Sequence, residues 1–129
     1  MTRIDTCCHS NIDCDWIKKN QGEIQLHPAW HEKISEEGSE TLLQGKPPFT
    51  YILRNGEKEH AYFITYVKSD LSIKHQFFVL EIDRKGWYYR NGIANGPAEI
   101  LSKDLEEIIP MMMHCDAMAC TPLRNMVQT

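Results

Sequence analysis

Among its 129 residues the chain has no apolar run near the roughly 20 side chains a membrane-spanning helix needs, so insertion in a bilayer is not expected. The opening stretch, MTRIDTCCHSNIDCDW, has no apolar segment of signal-peptide length, so Sec export is not expected and a cytoplasmic location is. Basic charge is also short: 14 Lys and Arg stand against 18 Asp and Glu, a net charge of -4. A general nucleic-acid or anionic-membrane binder needs a broad basic face, so any anion site must be local. There is no CxxC pair, and the five cysteines (Cys7, Cys8, Cys14, Cys115 and Cys120) lie at the two ends. That is no framework for a secreted disulfide scaffold, and a reducing compartment is expected. No repeat or low-complexity tract is visible, and the length suits a single core.

What is present reads as an α+β domain. Residues 1–26 are polar with isolated apolar positions, and form an N-terminal extension without assigned structure; residues 27–124 hold the domain and 125–129 a tail. Trp30 and Ile34 read as a short leading strand. Ser35 caps a helix whose first turn holds Glu36 and Glu37, whose buried stripe is Leu42 and Leu43, and which Gly45 and Pro47-Pro48 end. The runs FTYILR, AYFITYV and IKHQFFVLEI are rich in aromatic and β-branched residues, and the turn from Asp83 to Gly86 leads into WYYR. They predict an antiparallel meander, with FFVL buried on both faces. NGIANGPAE reads as a loop. Leu101, Leu105, Ile108, Ile109 and Met112 recur at helical spacing after a possible Ser102 cap, with Pro110 expected to end the regular part near Ile109. Leu123 is the one anchor expected after Cys120.

The residue that asks for a function is Arg54, the last side chain of FTYILR. Period-two alternation puts it on the face of Thr50 and Ile52, opposite Phe49, Tyr51 and Leu53. A guanidinium at the end of an interior strand needs an anion, either a glutamate such as Glu57 or Glu59 or a ligand that brings phosphate or carboxylate. The following turn, NGEKEH, offers backbone amides, Gly56 and Lys58 as a possible anion nest. If the next two strands pair, Phe63, Thr65, His75 and Phe77 line the same face as Arg54, a slot suited to an aryl phosphate.

In chain order these segments resemble the SH2 domain, the phosphotyrosine-binding module. WHEKIS is similar to the family's Trp-x-x-Lys-Ile-Ser/Thr opening, SETLL to its first helix, YILR to its Phe-Leu-Val-Arg strand, AYFITYV to the next strand, IKHQFF to the strand with a pocket histidine, and LEEII to the second helix. The resemblance covers about Trp30 to Leu123. It implies a central antiparallel sheet flanked by two helices, with an enlarged loop before the second. It implies a non-catalytic monomer without cofactor or metal, which binds tyrosine-phosphorylated proteins through Arg54, Asn55, Gly56, Glu57, Lys58, Thr65 and His75. Departures fall at Glu36, Gly56 and Phe77, where the family often has a basic residue, a serine or threonine, and a lysine. Ile93, Ala94 and Ile100 suggest an apolar flap that clamps the ligand with weak sequence preference. A diverged domain of this kind is similar to the SH2 proteins that intracellular bacterial pathogens deliver into the host cytoplasm.

Two rival chemistries lie near the ends. HCDAMACT, residues 114–121, has the His-Cys opening of a tyrosine-phosphatase loop, but Thr121 stands where the arginine clamp belongs and the loop has no glycine. A structural metal would need ligands drawn from Cys7, Cys8, His9, Cys14, His114, Cys115 and Cys120, converging from both termini. Buried or exposed thiols are the simpler expectation.

Overall fold

The computed structural model describes residues 11–90 and 99–124, with side chains from Cys14 onward. Four consecutive strands form the expected meander, β1 (Thr50–Asn55), β2 (Ala61–Val67), β3 (Ile73–Glu81) and β4 (Gly86–Arg90), and a fifth, β5 (Glu99–Ser102), extends it where a loop and a helix start were expected. A two-residue strand, β6 (Thr121–Pro122), joins β1 in parallel and completes a six-stranded sheet in the order β5-β4-β3-β2-β1-β6. The sheet is therefore mixed at one edge rather than wholly antiparallel. The leading strand expected at Trp30 is reduced to a single parallel bridge with Leu53. Its neighbours still run along β1: Leu53 donates to the Ala29 carbonyl at 2.8 Å and Asn55 to that of Glu32 at 2.7 Å.

Alternation along the strands sends two sets of side chains to opposite faces. On one face Tyr51, Leu53, Tyr62, Ile64, Tyr66, Phe78, Leu80, Trp87 and Tyr89 build the main core. Two helices contribute to it. Helix α3 (Leu105–Met113) adds Leu105, Ile108, Ile109, Met112 and Met113; helix α1 (Asn11–Gln25) adds Ile24, which is completely buried. Residues 11–25, read from the sequence as part of an extension without assigned structure, are thus helical and join the core. On the other face helix α2 (Glu36–Leu43) covers a smaller cluster of Leu43, Ile52 and Val67, flanked by Ile34, Ile73 and Leu123. Leu123 does anchor the stretch after Cys120: its N–H also donates to the Tyr51 carbonyl at 2.9 Å.

Ser35 caps α2 by accepting from the Gly38 N–H at 2.9 Å, as its position before two glutamates predicts. Only Leu43 of the expected stripe is buried; Leu42 is exposed. An eight-residue helix covers only part of this face. Phe77, expected in the core, is 47% exposed beyond its reach, so FFVL is not buried on both faces.

Helix α3 starts later and ends later than expected. Asp104, not Ser102, is the cap, and accepts from the Glu106 N–H at 3.1 Å. Ser102 and Leu101 belong to β5. The helix continues past Pro110 to Met113 because Met112 and Met113 are buried, and their burial outweighs the hydrogen bond that proline cannot donate. Among the described residues no helix is long and apolar enough to cross a membrane.

Candidate functional site

The partly covered α2 face carries the polar cluster. Arg54 pairs in register with Phe63, and Thr65 with His75, so these side chains and Phe77 share one face across β1, β2 and β3. Arg54 is only 6% exposed. Its Nε–H donates to Thr65 Oγ1 at 3.1 Å and Nη2 donates to His75 Nδ1 at 3.1 Å. Its guanidinium carbon lies 4.6 Å from the centre of the Phe63 ring, which itself packs edge-on against Phe77 at 5.5 Å.

Arginine has no acceptor, and this fixes the polarity of the whole cluster. His75 Nδ1 must accept from Nη2, so the Thr65 hydroxyl, 2.8 Å away, donates to the same nitrogen. The ring proton therefore sits on Nε2, which donates to Glu40 Oε2 at 2.7 Å, with Glu36 Oε2 at 3.8 Å. A neutral imidazole thus separates a buried cation from two carboxylates of α2. Burial lowers the Arg54 pKa from its ordinary value, while Glu36 and Glu40 act in the opposite sense. Among the described residues no carboxylate comes within ion-pair distance of Arg54, and Glu57 and Glu59, the glutamates expected from the sequence, are exposed.

The turn after β1 is less open to an anion than NGEKEH predicts. The Asn55 N–H donates to the Glu32 carbonyl at 2.7 Å and that of Gly56 to the Ala61 carbonyl at 2.8 Å, so two expected nest donors are committed within the protein. Gly56 is required for a different reason. A Cβ there would sit 2.9 Å from the Ala61 backbone. Glu57 and Lys58 are exposed. Of the expected clamp, Ile93 and Ala94 lie outside the described residues, while Ile100 lies in β5 and packs against the main core.

Glu36, Glu40 and His75 bring three ligand atoms within 4.8 Å of one another, a grouping that in outline resembles a metal site. Their hydrogen-bond polarity does not suit one. The nitrogen facing the carboxylates carries the proton, and moving it to Nδ1 would set N–H against the Arg54 donor. Glu40 completes this cluster although the sequence pattern does not single it out. Its spacing of four from Glu36 puts both on one side of α2, which was the available signal.

The opposite face holds a cavity of about 300 Å³ lined by His27, Tyr51, Glu106 and Cys120, among others. His27 Nδ1 accepts from the Ala29 N–H at 3.0 Å, so its proton lies on Nε2 and is donated to Glu106 at 2.9 Å. This is a hydrogen bond from a neutral ring rather than an ion pair, in keeping with burial lowering the His27 pKa against the pull of Glu106. With both nitrogens engaged, His27 does not serve Cys120 as a base. Cys7, Cys8 and His9 lie outside the described residues; Cys14 is disulfide-bonded, whereas thiols were expected. No family model matches the chain, and no curated protein matches its sequence.

Proposed function

We propose that the chain is a phosphotyrosine-binding module of SH2 type, acting by occupancy of tyrosine-phosphorylated proteins, with Arg54 as the residue that takes the phosphate. One observation carries the reading. Arg54 is buried at the end of an interior strand, its described hydrogen bonds go to the neutral atoms of Thr65 and His75, and the balancing carboxylates are on the edge of a short helix. The order of helix, meander and helix, with Arg54, Thr65 and His75 on three successive strands, agrees with the family resemblance of the sequence. Phe63 and the half-exposed Phe77 offer an aromatic wall beside the guanidinium, as an aryl phosphate requires.

Glu40 lies on the side of the cluster from which the phosphate would approach, 2.7 Å from His75 Nε2. Its side chain is 46% exposed and that of Glu36 is 67% exposed, so both can turn into solvent at low energetic cost. A phosphotyrosine brings nearly two negative charges and three acceptor oxygens, more than one carboxylate held through an imidazole, and plain tyrosine brings neither. Discrimination follows from that difference. In a fluorescence-polarisation titration, the chain binds a phosphotyrosine peptide and not its unphosphorylated form, and Arg54→Leu weakens binding about 100-fold or more. Equal binding of the phosphopeptide by Arg54→Leu would overturn the proposal.

A further inference from the structure

The main-core side of the molecule carries a second cluster, unrelated to Arg54. Helix α3 ends on His114 in the left-handed conformation (φ 55°), and Cys115 follows with its N–H on the Pro110 carbonyl at 3.1 Å. The Asp116 carboxylate then accepts from the Met118 N–H at 3.2 Å and caps a single 3-10 turn, Ala117–Ala119. That turn reverses the chain and returns Cys120 to Cys115, with the two Sγ atoms 2.8 Å apart. Both thiols are partly buried against the main core. Directly after Cys120 comes β6, which is held to β1 by Thr121 N–H on the Phe49 carbonyl and Leu123 N–H on that of Tyr51, each at 2.9 Å.

We propose that Cys115 and Cys120 form a reversible dithiol–disulfide modification site, oxidised by low-molecular-weight disulfides of the glutathione class, and that the bond clamps the α3–β6 junction. A disulfide needs its sulfurs at about 2.05 Å. Less than an ångström of approach, shared by two side chains, separates the present arrangement from the bond.

The step balances without a metal or further oxidant. The Cys115 thiol loses its proton and attacks one sulfur of the small disulfide, whose other sulfur leaves as a thiolate. Cys120 then gives up its proton and attacks the Cys115 sulfur, and the second small thiolate leaves. The protein loses two electrons and forms one S–S bond; the small disulfide gains them and, with the two protons, becomes two thiols. Burial, with Cys115 and Asp116 beside it, pushes the Cys120 thiol up to about 12, so in the resting protein it is protonated. This distinguishes Cys120 from a resident thiolate nucleophile.

Trypsin gives a direct test, because cleavage after Lys103 and Arg124 releases residues 104–124 with Cys115 and Cys120 as the sole cysteines. The full chain is equilibrated with oxidised and reduced glutathione, alkylated, digested without reduction and weighed. The expected peptide is unalkylated, lighter by about 2 Da than its dithiol form, and converted back by dithiothreitol. Oxidation also raises Tm by about 5 °C in the native chain and not in Cys120→Ser, since the bond closes a short loop at the β6 junction. A peptide with two alkylated thiols, with glutathione adducts, or joined to another cysteine peptide would overturn the site. Disulfide formation at unchanged Tm would overturn the clamp.

Discussion

Nη2 of Arg54 donates to Nδ1 of His75 at 3.1 Å, and that contact decides what the imidazole can do. With one nitrogen committed as an acceptor, His75 presents its proton to Glu40 and links a buried cation to a surface carboxylate. The missing counter-charge of the strand is therefore held at one remove, on a helix that a ligand can challenge.

If Glu40 stands where the phosphate acts, removing its charge helps the ligand. Glu40→Gln keeps an acceptor for His75 Nε2 and deletes one negative charge, worth about 1 kcal/mol at this half-exposed position. Phosphopeptide affinity is expected to rise about fivefold by calorimetry. A fall in affinity would assign Glu40 to building the pocket rather than obstructing it.

His75 is also structural. His75→Phe leaves the Arg54 Nη2 donor and the Thr65 hydroxyl without their acceptor, a loss of about 1–3 kcal/mol in urea unfolding. The loss should shrink in an Arg54→Leu background, because the two residues form one network. Additive losses in the double mutant would show that the contact contributes no coupling.

Ile24→Ala tests whether α1 belongs to the domain. Ile24 is fully buried in the main core, so the truncation is expected to destabilise the chain by about 2–4 kcal/mol in the same measurement. A value near that of an exposed site would place α1 outside the cooperative unit.

The pH response follows from His27. Its pKa in the folded chain is below the ordinary 6.5, chiefly through burial. Below that ordinary value the unfolded chain takes up a proton that the native ring resists, so this contribution is complete above about pH 6.5 and declines as pH falls towards the lowered native pKa. Thermal scans at pH 7.5 and 5.0 should show a smaller acid loss for His27→Asn, whose amide oxygen can accept from Ala29 without titrating. Equal losses in both proteins would remove His27 as the cause.

Much of the fold was legible because the signals were local. The β2 limits coincide with AYFITYV, and Ser35 with two following glutamates marked the start of α2. Errors arose where local preference met burial from elsewhere. Pro110 argued for a helix end, yet two buried methionines lie beyond it; Leu42 and Phe77 looked like core, yet Leu42 lies on the outer side of α2 and Phe77 is left half-exposed. The β5 strand went unread because Leu101 fits helical spacing as well as a strand edge.

The sequence by itself determined the face on which Arg54 lies, since alternation along an extended chain is set by backbone stereochemistry and needs no partner. It also set Thr65 and His75 on that face once the strands were taken as paired. Only the tertiary structure decided what meets the guanidinium. The docking of α2 across the sheet brings Glu40 to His75 over 35 positions of chain, and the returns of the turn after β1 consume the Asn55 and Gly56 donors. Such contacts depend on how packed surfaces fit, and no local pattern of residues encodes that fit.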